Sequence, residues 1–88
     1  MPQPTAIIDL GTNTFQLLVA TPGNISEHLQ IIFQLQRPVQ LGLGAMETGI
    51  LQNDAMDRAI MALTEFRDVA IANGCENNRI HAIGTSIL

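Results

Sequence analysis

Apolar positions along this chain fall into four blocks separated by turn-forming residues. Ile7, Ile8 and Leu10 form a short continuous apolar run, the pattern of a central strand buried on both faces. After Gly11-Thr12-Asn13-Thr14, a second run begins in which Phe15, Leu17 and Val19 alternate with Gln16, Leu18 and Ala20. Thr21-Pro22-Gly23-Asn24 reads as a turn, since Pro22 presets φ and Gly23 tolerates positive φ. From Leu29 the alternation predicts a third strand. Leu29, Ile31, Phe33 and Leu35 share one face; His28, Gln30, Gln34 and Gln36 share the other, which Ile32 interrupts. A wet face and the closing Pro38 place this strand at a sheet edge.

Gly42, Gly44 and Gly49 mark a flexible connection over 41–51. The pair in Leu41-Gly42-Leu43-Gly44 reads as a plain connector, with a lid as the alternative. A helix is predicted over 54–73. Asn53 is its N-cap, and Asp54 and Asp57 lie in its positive first turn. Met56, Ile60, Leu63, Phe66 and Ala70 recur on one face, and Asn73-Gly74 supplies a left-handed stop. Asp54 and Arg58 form an i,i+4 pair; Glu65, Arg67 and Asp68 read as a solvated face. Arg79-Ile80-His81-Ala82-Ile83-Gly84 is a fourth strand. A strand that follows a long helix returns parallel to an earlier one. The fold class is therefore α/β, in the order β-β-β-α-β, with an antiparallel meander and a parallel fourth strand.

Composition narrows the function classes. The chain has 88 residues, 47% of them hydrophobic, which suits a globular domain. A domain of this size hides only roughly 60–65% of its unfolded surface. The net charge is −4, with four Lys and Arg in total, which argues against nucleic acid as the main partner. The one cysteine, Cys75, has no internal disulfide partner and reads as a buried small hydrophobe, which fits a reduced cytoplasmic setting. No signal peptide opens the chain, and no apolar run approaches the ~20 residues of a membrane helix.

The candidate chemistry lies in the first turn. Asp9 stands inside an otherwise apolar strand, where an unpaired charge is costly. Gly11 permits close backbone approach, and Gly11, Thr12, Asn13 and Thr14 bring a cluster of N–H and hydroxyl donors. Such a turn holds a phosphate while the acid faces a metal ion. The competing reading is a plain hairpin in which Asp9 and Asn13 satisfy local N–H groups. A fourth strand parallel to the first and beside it would bring Gly84-Thr85-Ser86 to the same sheet edge, where open α/β sheets bind ligands. The alternative is an ordinary strand-end turn. His81 without a companion ligand makes a poor metal site, and His28 reads as solvated. Met46, Met56 and Met61 read as core and loop filler. An apolar end at Thr85-Ser86-Ile87-Leu88 and a single acid where phosphate chemistry needs several charged groups point to part of a larger domain.

Ile8-Asp9-Leu10-Gly11-Thr12-Asn13-Thr14-Phe15-Gln16-Leu17-Leu18-Val19-Ala20 resembles the first phosphate motif of the exopolyphosphatase / guanosine pentaphosphate phosphatase family, within the actin, heat-shock chaperone and sugar kinase superfamily. The later pieces agree in order: Val39-Gln40-Leu41-Gly42-Leu43-Gly44, the helix from Asp54 through Phe66, and Ala82-Ile83-Gly84-Thr85-Ser86-Ile87-Leu88. The resemblance implies a ribonuclease H-like (actin-like ATPase) half-domain, with residues 1–88 opening the first of two domains around a cleft. It implies Mg²⁺-dependent hydrolysis of a terminal phosphoanhydride in polyphosphate or guanosine pentaphosphate. Asp9 would face the metal, Gly11, Thr12, Asn13 and Thr14 would contact phosphate, and Thr85 and Ser86 would line the same cleft. A homodimer is compatible with it, and neither nucleic acid nor a membrane is implied. The chain departs from the family at Gln40, often basic there, and at Leu43, often acidic; Arg37 is near but out of register. The family's arginine after the Thr-Ser pair, its catalytic glutamate and its second glycine-rich motif would lie beyond Leu88, so the isolated chain is expected to be inactive. The alternatives are an ATP-binding sugar kinase or chaperone-like ATPase of the same superfamily, and a non-catalytic structural module.

Overall fold

A computed structural model describes residues 3–22, 29–41 and 53–84. Its elements are β1 (Thr5–Leu10), β2 (Thr14–Pro22), β3 (Leu29–Pro38), α1 (Asn53–Ala72), a 3-10 turn at Asn77–Arg79, and β4 (Ile80–Gly84). The sheet order is β3-β2-β1-β4. β1 and β2 pair antiparallel, as do β2 and β3, and β4 runs parallel to β1. This is the β-β-β-α-β arrangement of a ribonuclease H-like half-domain, with the meander, the edge position of β3 and the parallel β4 all as expected. Because β3 and β4 sit at opposite edges, α1 carries the chain across one face of the sheet. That face holds the core: Ala6, Ile8, Phe15, Leu17 and Val19 from the strands meet Ala55, Ala62, Phe66 and Ala70 from α1. Cys75 is buried among them, as its apolar character suggested.

Several expectations need correction. β1 is central in position, but only Ala6 and Ile8 are buried; Ile7 and Leu10 are half-buried. The one helix among the described residues covers one side of the sheet and leaves the Ile7 side open. In β3, the four apolar residues do not share a face. Val19 pairs with Phe33 but Ala20 pairs with Ile31, so Ile32 is an extra residue at a bulge. Paired residues share a face. Phe33 and Leu35 therefore stay with Val19 and Leu17 on the core side, half-buried, while Leu29 and Ile31 move to the Ala20 side, 65% and 54% exposed. Alternation alone cannot reveal a bulge, because one added residue reverses every side chain beyond it. Finally, the stripe predicted for α1 faces the core at Leu63, Phe66 and Ala70 but not at Met56 and Ile60. Ala55, Ala62, Phe66 and Ala70 are buried, with Ala59, Leu63 and Val69 partly so, whereas Met56 and Ile60 are exposed. The alanines let the helix backbone approach the sheet, and Phe66 fills the space between them.

Thr21 and Pro22, expected in a turn, belong to a strand. β2 runs through Thr21 to Pro22, which pairs with Leu29. Gly23, Asn24 and His28, the glycine-rich connection with Met46, and Thr85 to Leu88 lie outside the described residues.

The helix stop is a Schellman cap. The Gly74 N–H donates to the Ile71 carbonyl at 3.0 Å and the Cys75 N–H to the Ala70 carbonyl at 3.0 Å. Gly74 holds φ of +95°, a conformation that L side chains rarely adopt. Gly74→Ala is therefore expected to destabilise the chain by about 1–2 kcal/mol, lowering Tm by roughly 4–8 °C per kcal/mol. Thermal unfolding followed by circular dichroism checks this; an unchanged Tm would show the cap to be dispensable. Arg79 then ties the end of the crossover to the chain start, donating to the Thr5 hydroxyl at 2.7 Å and the Pro4 carbonyl at 3.3 Å.

Candidate functional site

Between β1 and β2 the chain reverses within Gly11–Thr14. The Gly11 N–H donates to the Thr14 carbonyl at 3.2 Å. A Cβ on Gly11 would sit 2.7 Å from that same oxygen, so this position tolerates no side chain without a backbone shift. The chain that leaves β3 runs beside the turn. The N–H groups of Val39 and Gln40 donate to the Asn13 carbonyl at 2.8 and 3.0 Å, and the Leu41 N–H donates to the Thr12 carbonyl at 2.8 Å. All peptide bonds described are trans. In a trans peptide the N–H opposes the preceding carbonyl. Fixing the Thr12 and Asn13 carbonyls toward 39–41 therefore turns the amides of Asn13 and Thr14 away from it. Asn13 and Thr14 are exposed there, and Gly11 and Thr12 half-buried. The turn thus presents a small set of N–H and hydroxyl donors at the C-terminal end of β1, the arrangement that receives anions.

Asp9 is two residues before Gly11. It lies opposite Gln16 on β2 and beside Ile83 on β4, half-buried on the face that α1 does not cover. β4 pairs with β1 as far as Leu10 opposite Gly84, so its C-terminal end meets the turn at one edge of the sheet. Thr85 and Ser86 follow directly in the sequence and lie outside the described residues. His81 is exposed on β4 and pairs with Ile7, one row away from Asp9.

The donor set bears on which cation fits. Among the described residues, no three His, Cys, Asp or Glu side chains converge to hold a metal ion. Zn²⁺ in a closed protein cage needs such a group. Mg²⁺ does not, since it takes one or two carboxylates and completes its shell with water and substrate phosphates. A single strand-end carboxylate beside a donor-rich turn fits that second pattern.

Two arginines tie α1 to β3 and to the chain that leaves it. Arg37 on β3 donates from Nε and Nη2 to the Glu65 carboxylate, both at 2.8 Å. That hydrogen bond raises the Arg37 pKa above its ordinary value; desolvation opposes the rise, and the Glu65 charge adds to it. Glu65 thus stays on the solvated face, with its side chain 40% exposed, while pairing with β3. Arg58 forms the expected ion pair with Asp54 at 3.2 Å. It also donates Nε to the Val39 carbonyl at 2.8 Å and Nη2 to the Gln40 carbonyl at 3.2 Å. Partners 28 and 19 residues apart leave no local signature in a sequence. Arg67 and Asp68 remain on the surface as expected. Burial pushes the Cys75 thiol above its ordinary pKa, with the Arg79 charge opposing. No helix among the described residues is long and apolar enough to cross a membrane.

Comparison with known protein families matches residues 19–88 to the Ppx/GppA phosphatase family. The match opens inside β2, after the Asp9 turn. Over all 88 residues the chain is 34% identical to the guanosine-5'-triphosphate,3'-diphosphate pyrophosphatase of Aliivibrio fischeri (strain MJ11), covering 100% of this chain and 17% of that protein. Among solved structures, an Aquifex aeolicus member of the Ppx/GppA protein family superposes with a TM-score of 0.84 at 28% identity, over 96% of this chain and 26% of that one. An exopolyphosphatase from Cytophaga hutchinsonii superposes with a TM-score of 0.79 at 30% identity, over 93% and 25%. The chain therefore spans about a quarter or less of the length of these relatives.

Proposed function

The chain belongs to the Ppx/GppA phosphatase family, and from that premise we propose that it forms the N-terminal part of a phosphohydrolase. The enzyme would release the terminal phosphate of inorganic polyphosphate or guanosine pentaphosphate with Mg²⁺. Residues 1–88 would open the first of two actin-like ATPase domains. The observation that carries this reading is the parallel β1–β4 pairing, which sets the end of β4 beside the donor turn that follows Asp9.

In this reading Asp9 holds Mg²⁺, and the metal, when bound, offsets charge on the phosphates. The amides of Asn13 and Thr14 and the hydroxyls of Thr12 and Thr14 take phosphate oxygens and orient the chain end for attack, while Gly11, with no side chain, lets the phosphate approach the backbone closely. Thr85 and Ser86, which follow β4 in the sequence, would contribute to the same phosphate site. The net charge of −4 makes such local donors necessary, because the chain as a whole repels a polyanion. A carboxylate beyond Leu88 positions the attacking water. A cytoplasmic setting belongs to the same reading.

The test compares the purified 88-residue chain with the longer coding product, each given polyphosphate, guanosine pentaphosphate or ATP with Mg²⁺. Phosphate release from polyphosphate or guanosine pentaphosphate is expected from the longer protein and none from the chain alone. Release from ATP only would overturn the reading in favour of a kinase-like or chaperone-like ATPase.

A further inference from the structure

We infer that Arg58 is a positioning residue for the phosphate turn, acting through the backbone of 39–41; the inference rests on the reading of Asp9 and Gly11–Thr14 given above. Arg58 lies one turn inside α1, paired with Asp54 at 3.2 Å. Its fork captures two successive carbonyls, Val39 at 2.8 Å and Gln40 at 3.2 Å. The amides of the same short strap face the other way. Val39 and Gln40 donate to the Asn13 carbonyl, and Leu41 donates to the Thr12 carbonyl. One guanidinium therefore holds the strap by its carbonyls, and the strap holds the turn by its amides. The orientation of the Asn13 and Thr14 N–H groups follows from that hold, since each opposes a carbonyl the strap has engaged.

Two features show that the strap is held rather than merely adjacent. Val39 and Leu41 are buried, at 0% and 6% exposure, so the segment is pinned on both sides of Gln40. Gln40 itself has φ of +51°. A non-glycine residue persists there only where its surroundings over-determine it. The Arg58 fork and the Asn13 carbonyl supply that constraint. Lysine is no substitute, because a single ammonium cannot span two carbonyls and a carboxylate as a planar fork does.

Arg37 provides the control. It also ties β3 to α1, through Glu65, but the bonds described for it do not reach the turn. In the longer protein, Arg58→Ala is expected to lower kcat/KM for polyphosphate by about 10- to 100-fold, mostly through KM, because displaced donors misplace the bound phosphate. Arg37→Ala should stay within about twofold. Amide hydrogen exchange at Val39, Gln40 and Leu41 should quicken in Arg58→Ala and not in Arg37→Ala. Should Arg58→Ala fail to fold, Arg58→Gln carries the test with the same outcomes. Wild-type kcat/KM in the Arg58 variant, beside an inactive Asp9→Ala, would overturn the inference and leave the phosphate reading standing. Wild-type kcat/KM in Asp9→Ala would overturn the phosphate reading, and the inference with it.

Discussion

Asp9→Ala in the longer protein is expected to lower phosphate release from polyphosphate by about 10³-fold or more, with Tm changed by only a few degrees. The size follows from the role. A carboxylate that holds the metal contributes several kcal/mol to the charge balance of the transition state, and about 4 kcal/mol is a thousandfold. The small effect on stability follows from position. Asp9 is half-buried, near the end of its strand, on the face opposite α1, so truncation opens no cavity in the core. Asp9→Asn separates the proposed role from the hairpin alternative. If charge matters, the amide fails nearly as badly as alanine. If Asp9 only satisfies local N–H groups, asparagine retains most of the function and alanine lowers Tm rather than turnover. Kinetics with polyphosphate and thermal unfolding on the three proteins decide between them; unchanged turnover in Asp9→Ala would leave the turn purely structural.

Local chemistry made most of the fold legible in the sequence. Strands, turn and helix each carry their own signal: alternation in Phe15–Val19, donors and glycine in Gly11–Thr14, and the Asn73-Gly74 stop that became a Schellman cap. The sheet order followed from connection rules, because short turns force antiparallel neighbours and a long helix forces a parallel return. What stayed hidden depends on tertiary placement. The extra residue Ile32 has no sequence signature, yet it moves Leu29 and Ile31 off the core face. The buried stripe of α1 is rich in alanine, which a search for large apolar residues passes over in favour of Met56 and Ile60.

The candidate site divides along the same line. Asp9 and the turn could be singled out because a charge inside an apolar strand and a glycine-led donor cluster are locally unusual. The strap of Val39 to Leu41 and its Arg58 fork could not. Backbone carbonyls and amides carry no residue identity, so a contact made through them is silent in the sequence. The departure at Gln40 gains a physical meaning here: this position supplies backbone, with its N–H on the turn and its carbonyl on Arg58.

Phe66→Ala is expected to remove a large part of the stability of the 88-residue chain. Phe66 is fully buried on α1 and is among the largest fully buried side chains described, with Leu17, Val19 and Val39. Removing such a ring costs about 3–5 kcal/mol, the lost transfer free energy plus the cavity left between helix and sheet. A chain of this length has roughly 4–13 kcal/mol of stability in total. Alanines on both sides of Phe66 worsen the loss, because Ala62 and Ala70 have no atoms to relax into the void. Ile60→Ala is the matched comparison. Ile60 has the spacing of a core position but is 59% exposed, so its truncation is expected to cost about 0.5 kcal/mol or less. Denaturant unfolding of both variants separates the two helix faces directly. A loss for Ile60→Ala as large as that for Phe66→Ala would rotate α1 back to the stripe that periodicity alone favours, which holds both residues. A small loss for Ile60→Ala beside a large one for Phe66→Ala fixes Ala55, Ala62, Phe66 and Ala70 against the sheet, and with them the placement of Arg58 beside the strap.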